Sequence, residues 1–398
     1  MSGTTLLSAN QAEVLPELES RTLRLALAGG GTGGHLVPGL HLLEEAQRRG
    51  GLADLVWFTS GRDVEDRVLQ GMERRFPLIR HERVILEVEP RGGGAPSRAR
   101  LLLRTPSSVA SARAALRAHR PDVLLALGGF TSLPAVLAAR MLRIPIALLE
   151  INAERGSATR WLGSMADCVA HAWAATLPGS SAGRTQHCRI GPPLAREFAR
   201  GAVDEAASRR AREELGFDPE RPLLLVLGGS QGALGLNRFV HACAPEFVEQ
   251  GLQVLHQTGP GRTQEALAPF RGYAAQEYIH DMARALSAAT VVLTRGGAST
   301  LAEIAALRRP AVVVPYPHHV DRHQEKNARQ LKEGVRIVEE RALDSRQAEE
   351  LVRLCSEAGA GERARMSAAL EQTLPLDGAS RLLDTLIQLS NRRRARGR

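Results

Sequence analysis

Several features of common protein classes are missing from this 398-residue sequence. Its four cysteines fall in no metal-ligand spacing and are too few to stabilise so long a chain through disulfides. No apolar run approaches the roughly 20 residues of a membrane-spanning helix, and the N-terminus lacks the basic and apolar segments of a signal peptide. We therefore expect reduced thiols and a cytoplasmic location.

Aromatic residues are also scarce, at 4% of the chain, and no zinc-finger or RNA-recognition motif is present. Basic residues exceed acidic ones and give a net charge of +9, which favours an anionic partner. Nucleotide phosphates or an acidic membrane surface would fit that charge, whereas nucleic acid is not expected without its usual motifs. With 43% hydrophobic and 24% charged residues, the composition is typical of a soluble globular protein.

Two pairs of similar segments divide the sequence into halves. Each half first has an apolar strand, a glycine turn and a helix, in LALAGGGTGGHLVP from Leu25 and in LLLVLGGSQGALGLN from Leu223. Each then has a strand, Gly-Gly, a helix, proline and another strand, beginning at Val123 and at Val291. Continuous Val, Leu and Ile strands separated by single helices are typical of parallel sheets covered on both faces. We predict an α/β protein with two Rossmann-like domains in tandem.

The repeat also predicts the domain boundaries and the place of a ligand. Ligands of open parallel sheets bind beyond the carboxyl ends of the strands, so two domains with facing carboxyl ends form an interdomain cleft. The predicted division is an N-terminal extension at 1–21, expected to be disordered, a first domain at 22–195, a linker region at 196–221, a second domain at 222–372, and a C-terminal helix with a basic tail at 373–398 that packs back on the first domain.

The first glycine turn meets one requirement of a dinucleotide site and fails another. Gly29, Gly31 and Gly34 have GxGxxG spacing, but the next strand ends in Thr59-Ser60-Gly61, where an acidic residue would bind the ribose. A GxxxxGK loop for ATP or GTP and an Asp-x-Asp pair for a metal-bound diphosphate are missing too. Glycine turns that open helices nevertheless present N–H groups and the positive helix end to a phosphate. We expect no cofactor and no metal, with a diphosphate neutralised by helix N-termini, hydroxyls and arginine.

Five motifs together resemble the MurG family, the N-acetylglucosaminyltransferases of peptidoglycan synthesis, which have the GT-B fold. They are GGGTGGHLVPG, LALGGFTS, LGGSQGALGLN, RGGASTLAEIAALRRPAVVVPYP and DRHQEKNA, in that order between about Leu23 and Val338. The resemblance implies inverting transfer of N-acetylglucosamine from UDP-N-acetylglucosamine to the 4-hydroxyl of N-acetylmuramic acid in undecaprenyl-diphosphate-linked muramyl pentapeptide, without a metal. The first domain would bind the lipid acceptor and the second the UDP-sugar.

On the acceptor side, His35 is the candidate catalytic base, because an imidazole can accept a proton near neutral pH. The alternative is a structural histidine that hydrogen-bonds the turn or an acceptor phosphate. The family's usual His-Glu-Gln-Asn is Leu-Glu-Ile-Asn here, so only its Glu and Asn are kept. The residues that the resemblance assigns to this side are Thr32, Gly33 and Gly34 for binding, Glu150 for catalysis and Asn152 for binding.

On the donor side, Glu303 follows the RGGAST turn on the next helix, where its carboxylate can accept both ribose hydroxyls. A solvated helix glutamate is the alternative. Arg196 stands one position later than the family's usual arginine, and His323 replaces the first of two usual glutamines. The other residues assigned to this side by the resemblance are Ser230 for the diphosphate, Ile279 for uracil, Ala298, Ser299, Thr300 and Leu301 of the donor turn, and Gln324 and Asn327 near the sugar.

The segment Ser97–Arg120 interleaves arginines with leucines. Such arginines contribute about 1 kcal/mol each near an anionic leaflet, and the leucines can enter the interface. We expect contact with anionic inner-leaflet lipids and a peripheral position on the cytoplasmic side of the cell inner membrane. The alternative is an ordinary amphipathic helix packed on the sheet, and the basic tail from Asn391 would either add to the attraction or be disordered.

Two other functions stay open at this stage. A glycosyltransferase of the same fold could act on another lipid or on a natural product, and acceptor assays would separate it from the first reading. An inactive sugar-nucleotide-binding protein would bind UDP-N-acetylglucosamine without turning it over.

Overall fold

Two parallel β-sheets form the framework of the protein in a computed structural model. The structure describes residues 22–31, 33–88, 98–179, 183–229, 231–262, 270–318, 321–371 and 373–396. The predicted N-terminal extension therefore lies outside the described residues.

The central strands of each sheet are mostly apolar and buried, whereas the edge strands are partly exposed. The first sheet contains β1 (Leu23–Gly29), β2 (Leu52–Thr59), β3 (Arg80–Ile85), β4 (Val123–Gly128), β5 (Ile146–Glu150), β6 (Cys168–His171) and β7 (Gln186–Arg189). The second contains β8 (Leu223–Leu227), β9 (Gln253–Gln257), β10 (Tyr273–Gln276), β11 (Val291–Thr294), β12 (Ala311–Val313) and β13 (Val335–Ile337). The edge strands are β3, β7, β10 and β13.

Helices connect successive strands and cover both sheets. Those of the first domain are α1 (Gly33–Arg48), α2 (Asp63–Leu69), α3 (Met72–Arg75), α4 (Arg98–His119), α5 (Ser132–Met141) and α6 (Ser157–Leu162). The rest are α7 (Glu205–Glu214), α8 (Leu234–Glu249), α9 (Met282–Ala288), α10 (Ala298–Ala306), α11 (His323–Arg329), α12 (Ser345–Cys355), α13 (Ala360–Leu370) and α14 (Gly378–Arg396).

The first six strands of each domain have the same order in their sheet, and the first sheet adds β7 at its edge. The first runs β3-β2-β1-β4-β5-β6-β7 and the second β10-β9-β8-β11-β12-β13, and every pairing within them is parallel. Each order reverses direction once, between β1 and β4 and between β8 and β11. The four glycine turns follow those four strands, so each domain has two turns at its switch point, where ligands of such sheets bind. The prediction of two Rossmann-like domains is confirmed.

Alternating side chains of the first sheet pack against different helices. Ala26 and Ala28 of β1 face α4, α5 and α6, whereas Leu25 and Leu27 face α1 and α14. Because both faces are covered, the strands can be apolar throughout. Part of the basic segment in α4 packs on the first sheet, as the amphipathic-helix alternative predicts. Leu116 of this helix is buried against the sheet.

The C-terminal helix α14 returns to the first domain after the chain has completed the second. Leu382, Leu383, Leu386 and Leu389 are buried among residues of α1 and β1, and Arg49, the residue after α1, pairs with Asp384. The predicted linker region contains α7, which packs against α9 of the second sheet through Ala211. The last described residue of the basic tail, Arg396, is still helical.

Candidate functional site

A cleft of about 1690 Å³ separates the carboxyl ends of the two sheets. Its volume exceeds the roughly 300–1,000 Å³ of a pocket for one small ligand, so it has room for two substrates. Glycines from the turns after β1, β8 and β11 line it, including Gly34, Gly229 and Gly297. The fold therefore places helix N-termini from both domains around one space.

His35 lies in the first turn of α1 and lines the first domain's side of the cleft. Its Nδ1 lies 3.0 Å from the carbonyl oxygen of Gly30. A carbonyl only accepts, so Nδ1 carries the hydrogen and Nε2 carries the lone pair of the neutral ring. The bond to the turn expected for a structural histidine is thus present, and it also gives the tautomer that a base acting through Nε2 requires.

The surroundings of the His35 ring favour its neutral form, mainly because the ring is buried. Burial lowers its pKa most, the hydrogen bond to Gly30 and the charge of Glu150 raise it, and His323 of the second domain lowers it. The net pKa lies below its usual value of 6.5. At neutral pH the ring is therefore unprotonated, as a general base must be.

Glu150, at the end of β5, is buried behind the cleft and holds the loop that follows it. Its carboxylate accepts the N–H of Asn152 at 3.0 Å and the N–H of Gly156 at 2.7 Å. Asn152 itself lines the cleft. A catalytic role for Glu150 stays a prediction, and its observed contacts are those of a loop-supporting carboxylate whose charge acts on His35.

Glu303 lies on α10 on the second domain's side and lines the cleft although its residue is only 7% exposed. Burial raises the pKa of its carboxyl to about 8. The solvated alternative does not apply, since the group is taken out of water. A buried carboxyl that faces a ligand cleft is suited to accept hydrogen bonds from a bound ligand.

The residues before Glu303 form the first turn of α10, and some of them line the cleft whereas Leu301 does not. Ala298, Ser299 and Thr300 line the cleft, and the buried Oγ of Ser299 has no hydrogen-bond partner among the described residues. Leu301 is fully buried in the second domain's core and does not belong to the cleft lining. It can take part in ligand binding only through its backbone.

Gln257, at the end of β9, was missed by the sequence analysis and joins two parts of the donor side. Its Nε2 donates to the carbonyl of Gly229 at 3.1 Å, and its Oε1 accepts the N–H of Ile279 at 3.0 Å. The glycine turn and the predicted uracil contact are therefore fixed relative to each other. No motif surrounds this glutamine, so only the tertiary structure identifies it.

Gln324 and Asn327 both lie on α11 but have different surroundings. Gln324 lines the cleft, and its Oε1 accepts the N–H groups of Gly296 at 3.2 Å and of Tyr316 at 2.9 Å. A hydrogen bond from this side chain to a sugar would therefore come from Nε2.

Asn327 is fully buried and joins the two domains instead of lining the cleft. Its Nδ2 donates to Asn152 Oδ1 at 3.2 Å and to the Gly296 carbonyl at 3.1 Å, while its Oδ1 accepts the N–H of Ala153 at 2.8 Å. The adjacent Lys326 pairs with Glu154. The structure thus brings the two predicted asparagines together, with Asn327 placed as a support.

Arg196 is exposed and is not among the cleft-lining residues of the described ranges, although its neighbours Ala195 and Glu197 are. Thr32 and Ser230 lie outside the described residues. The described side chains also form no cluster of three or more His, Cys, Asp or Glu arranged to hold a metal ion.

Comparisons with known proteins agree with this architecture. Residues 25–171 match the Glycosyltransferase family 28 N-terminal domain, and residues 223–378 match the Glycosyltransferase family 28 C-terminal domain. A UDP-N-acetylglucosamine–N-acetylmuramyl-(pentapeptide) pyrophosphoryl-undecaprenol N-acetylglucosamine transferase of Sorangium cellulosum is 37% identical over 93% of this chain and 89% of its own length. One of the same description from Anaeromyxobacter is 37% identical over 78% of each chain.

Solved structures show the same fold at lower identity. The crystal structure of Acinetobacter baumannii MurG superposes with a TM-score of 0.65 at 23% identity, covering 92% of this chain and 99% of that one. A calicheamicin glycosyltransferase gives 0.62 at 18% identity, covering 94% and 99%. Two Rossmann-like domains around one cleft therefore define the GT-B fold, and the two family matches make the chain a glycosyltransferase. With the matches to curated relatives, the chain belongs to the MurG family within glycosyltransferase family 28.

Proposed function

We propose that this protein transfers N-acetylglucosamine from UDP-N-acetylglucosamine to the 4-hydroxyl of N-acetylmuramic acid in undecaprenyl-diphosphate-linked muramyl pentapeptide, with inversion at the anomeric carbon. The curated relatives are named for this reaction. The observation that carries the proposal is one cleft with His35, a neutral imidazole, on one side and Glu303, a buried carboxyl, on the other.

The acceptor is activated by His35 in this proposal. As the 4-hydroxyl oxygen attacks the anomeric carbon, its proton passes to Nε2, because Nδ1 is committed to Gly30. The imidazolium that forms is stabilised by the nearby charge of Glu150. Gly33 and Gly34 line the cleft beside His35 and offer backbone N–H groups of the α1 N-terminus to the acceptor diphosphate.

The donor is bound by the second domain. Glu303 accepts the two ribose hydroxyls, Ile279 contacts uracil through its backbone, and Gln324 donates to the sugar. When the bond between the anomeric carbon and the β-phosphate oxygen breaks, its electron pair stays on UDP. The N-termini of α8 and α10 stabilise that charge through backbone N–H groups and their dipoles.

We also propose that the protein is peripheral to the cytoplasmic side of the inner membrane, bound to anionic lipids. None of the helices in the described ranges has the length and hydropathy of a membrane span. Leu103 of α4, Met141 of α5 and Trp161 of α6 are 78%, 59% and 77% exposed, and these helices cover one face of the first sheet. Exposed apolar side chains beside arginines are suited to an anionic bilayer surface.

A reconstituted transfer assay tests the proposed reaction. The purified protein is incubated with labelled UDP-N-acetylglucosamine and the lipid-linked muramyl pentapeptide in detergent micelles, and the lipid product is analysed by mass spectrometry. We expect the acceptor mass to increase by one N-acetylhexosamine and UDP to be released in equal amount. Binding of the donor without a glycosylated lipid would instead support the inactive binding protein, and transfer only to another lipid would support the acceptor alternative.

A further inference from the structure

Glu65, in the first turn of α2, is a carboxylate that lies behind the first glycine turn and is fully buried. Its Oε1 accepts the N–H of Gly31 at 2.7 Å and both the N–H and Oγ of Ser60, at 3.0 and 2.5 Å. Its Oε2 accepts the N–H of Gly61 at 2.7 Å and Nη2 of Arg83 at 3.0 Å. So many donors around one buried group indicate a carboxylate held in its charged form.

The ionisation of Glu65 follows from these contacts. Burial opposes the charge, but the hydrogen bonds from Ser60, Gly31 and Gly61 lower the pKa of the carboxyl below its ordinary value. A fixed negative charge therefore lies next to the glycine turn at neutral pH.

One peptide group connects Glu65 with His35. The N–H of Gly31 and the C=O of Gly30 belong to the same planar unit. The N–H donates to Glu65, and the C=O accepts the hydrogen of His35 Nδ1 at 3.0 Å. A negative charge on the N–H side polarises the unit and makes its oxygen a stronger acceptor.

The turn is shaped for this contact. A Cβ on Gly30 would lie 2.2 Å from Glu65 Oε1, so only glycine allows the carboxylate to approach. Arg62 Nη1 donates to the carbonyl of Gly31 at 3.0 Å, which fixes the following peptide unit as well. Both ends of Gly31, whose φ is +82°, are therefore held by residues at the start of α2.

We propose that Glu65 is a positioning residue for the transfer reaction, acting through the Gly30–Gly31 peptide group to orient His35 and to stabilise the imidazolium that forms when His35 takes the acceptor proton. We call this arrangement the relay: the carboxylate of Glu65 acts on the imidazole of His35 through one peptide group that hydrogen-bonds both. This proposal rests on the proposed function of His35. Glu150, the last residue of β5, and His323, on α11, also act on the His35 ring.

The test compares Glu65→Gln with Asp63→Asn. Glu65→Gln keeps the size of the side chain and removes its charge. Asp63→Asn removes the same charge from an exposed position of the same helix, so it controls for the change in net charge. We expect Glu65→Gln to lower kcat about tenfold, to leave the KM for UDP-N-acetylglucosamine within about twofold, and to move the acidic limb of the pH profile to lower pH. Asp63→Asn should behave as the wild type.

Nuclear magnetic resonance of labelled histidine gives a readout that does not require turnover. The His35 signals, assigned by their loss in His35→Ala, should show the Nδ1–H tautomer in the wild type and a lower pKa in Glu65→Gln. Unchanged kcat, or an unchanged His35 pKa and pH profile, would overturn the relay. An equal effect of Asp63→Asn would overturn it too.

Two further outcomes are distinguishable from these. If Glu65→Gln does not fold, Glu65→Asp, which keeps the charge but shortens its reach, decides the matter. A lower kcat at unchanged donor KM supports the relay, and a wild-type kcat overturns it. Absence of lipid glycosylation by the wild type would overturn the proposed function, whereas the His35 resonances would still report whether Glu65 acts on the ring.

Discussion

His35 combines three local features that suit the proposed role of proton acceptor. Its tautomer is set by Gly30, its position is set by the first turn of α1, and burial keeps its pKa below 6.5. The positive end of a helix dipole acts in the same direction, because it disfavours a cation.

Replacement of His35 should therefore reduce the chemical step rather than donor binding. We expect His35→Ala to lower kcat by about 10²–10⁴, the usual contribution of a general base, with UDP-N-acetylglucosamine affinity unchanged. In the wild type, activity should fall as pH decreases through the lowered His35 pKa, since the protonated ring accepts no proton. Steady-state kinetics between pH 5 and 9 check both statements, and an acidic limb that persists in His35→Asn would assign it to another group.

Burial of the Glu303 carboxyl makes the stability of the folded protein depend on pH. Because its folded-state pKa is about 8 against an ordinary value of 4.5, the folded protein binds this proton more tightly than the unfolded chain. The associated stability is present in full below pH 4.5 and is lost as pH rises through about 8.

Glu303→Gln should consequently raise the melting temperature at pH 9 relative to the wild type, with little difference at pH 4.5. At pH 9, where the Glu303 carboxylate is charged, the same change should weaken UDP binding about tenfold or more, because hydrogen bonds to a charged group contribute about 1.5–3 kcal/mol. Calorimetric titration with UDP and with its 2′-deoxy analogue measures this. Wild type should prefer UDP, and a preference that survives in Glu303→Gln would refute the ribose assignment.

The residue-level prediction from sequence had a clear limit. His35 and Glu303 were identified because they stand beside glycine motifs of a known family. Glu65 was missed because the acidic residue was sought at the end of β2, whereas the one that reaches the glycine turn lies on α2. Its function depends on a contact between residues 34 positions apart, which no local pattern records.

At the scale of elements, the loop after β5 and helix α11 form one support between the domains. Asn327 is fully buried and makes two hydrogen bonds across this contact, with Asn152 and Ala153, and a third with Gly296 of its own domain. The sequence pattern placed Asn327 one helical turn from Gln324 but could not distinguish the side facing the cleft from the side facing the other domain.

Asn327→Ala should leave the buried N–H of Ala153 without a partner, at a cost of about 1–3 kcal/mol. We expect a lower melting temperature and an equal loss of affinity for UDP and for UDP-N-acetylglucosamine, since both bind the cleft that this contact supports. Arg329→Ala, an exposed position of α11, serves as the control. A loss confined to the sugar nucleotide would instead indicate direct contact of Asn327 with the sugar.

At the scale of the whole molecule, α14 makes the first domain depend on the last segment of the chain. Leu386 is fully buried among residues of the first domain. Leu386→Ala should destabilise the protein by about 2–5 kcal/mol, the usual cost of a large cavity in a core. Urea unfolding followed by circular dichroism measures the change. The exposed Gln388→Ala is the control, and equal stability of the two variants would contradict the packing of α14.

Two surface substitutions test whether the proposed membrane face, and no other part of the surface, binds lipid. Trp161→Ser on α6 should reduce co-sedimentation with phosphatidylglycerol vesicles severalfold, because an interfacial tryptophan is lost. Leu78→Ser is the control. It removes an apolar side chain that is 80% exposed, and it lies near α3, on the opposite face of the sheet. The two variants binding vesicles equally would argue against a specific docking face.

The sequence by itself determined the fold class and the glycine turns that line the two sides of the cleft. Apolar strands and glycine turns are local patterns, and their repetition predicted two Rossmann-like domains because such strands are stable only in covered parallel sheets. Only the tertiary structure decided which polar side chains face the cleft and which are buried behind it. That decision depends on burial and on hydrogen bonds between distant segments, as the peptide group between Glu65 and His35 and the buried Asn327 both show.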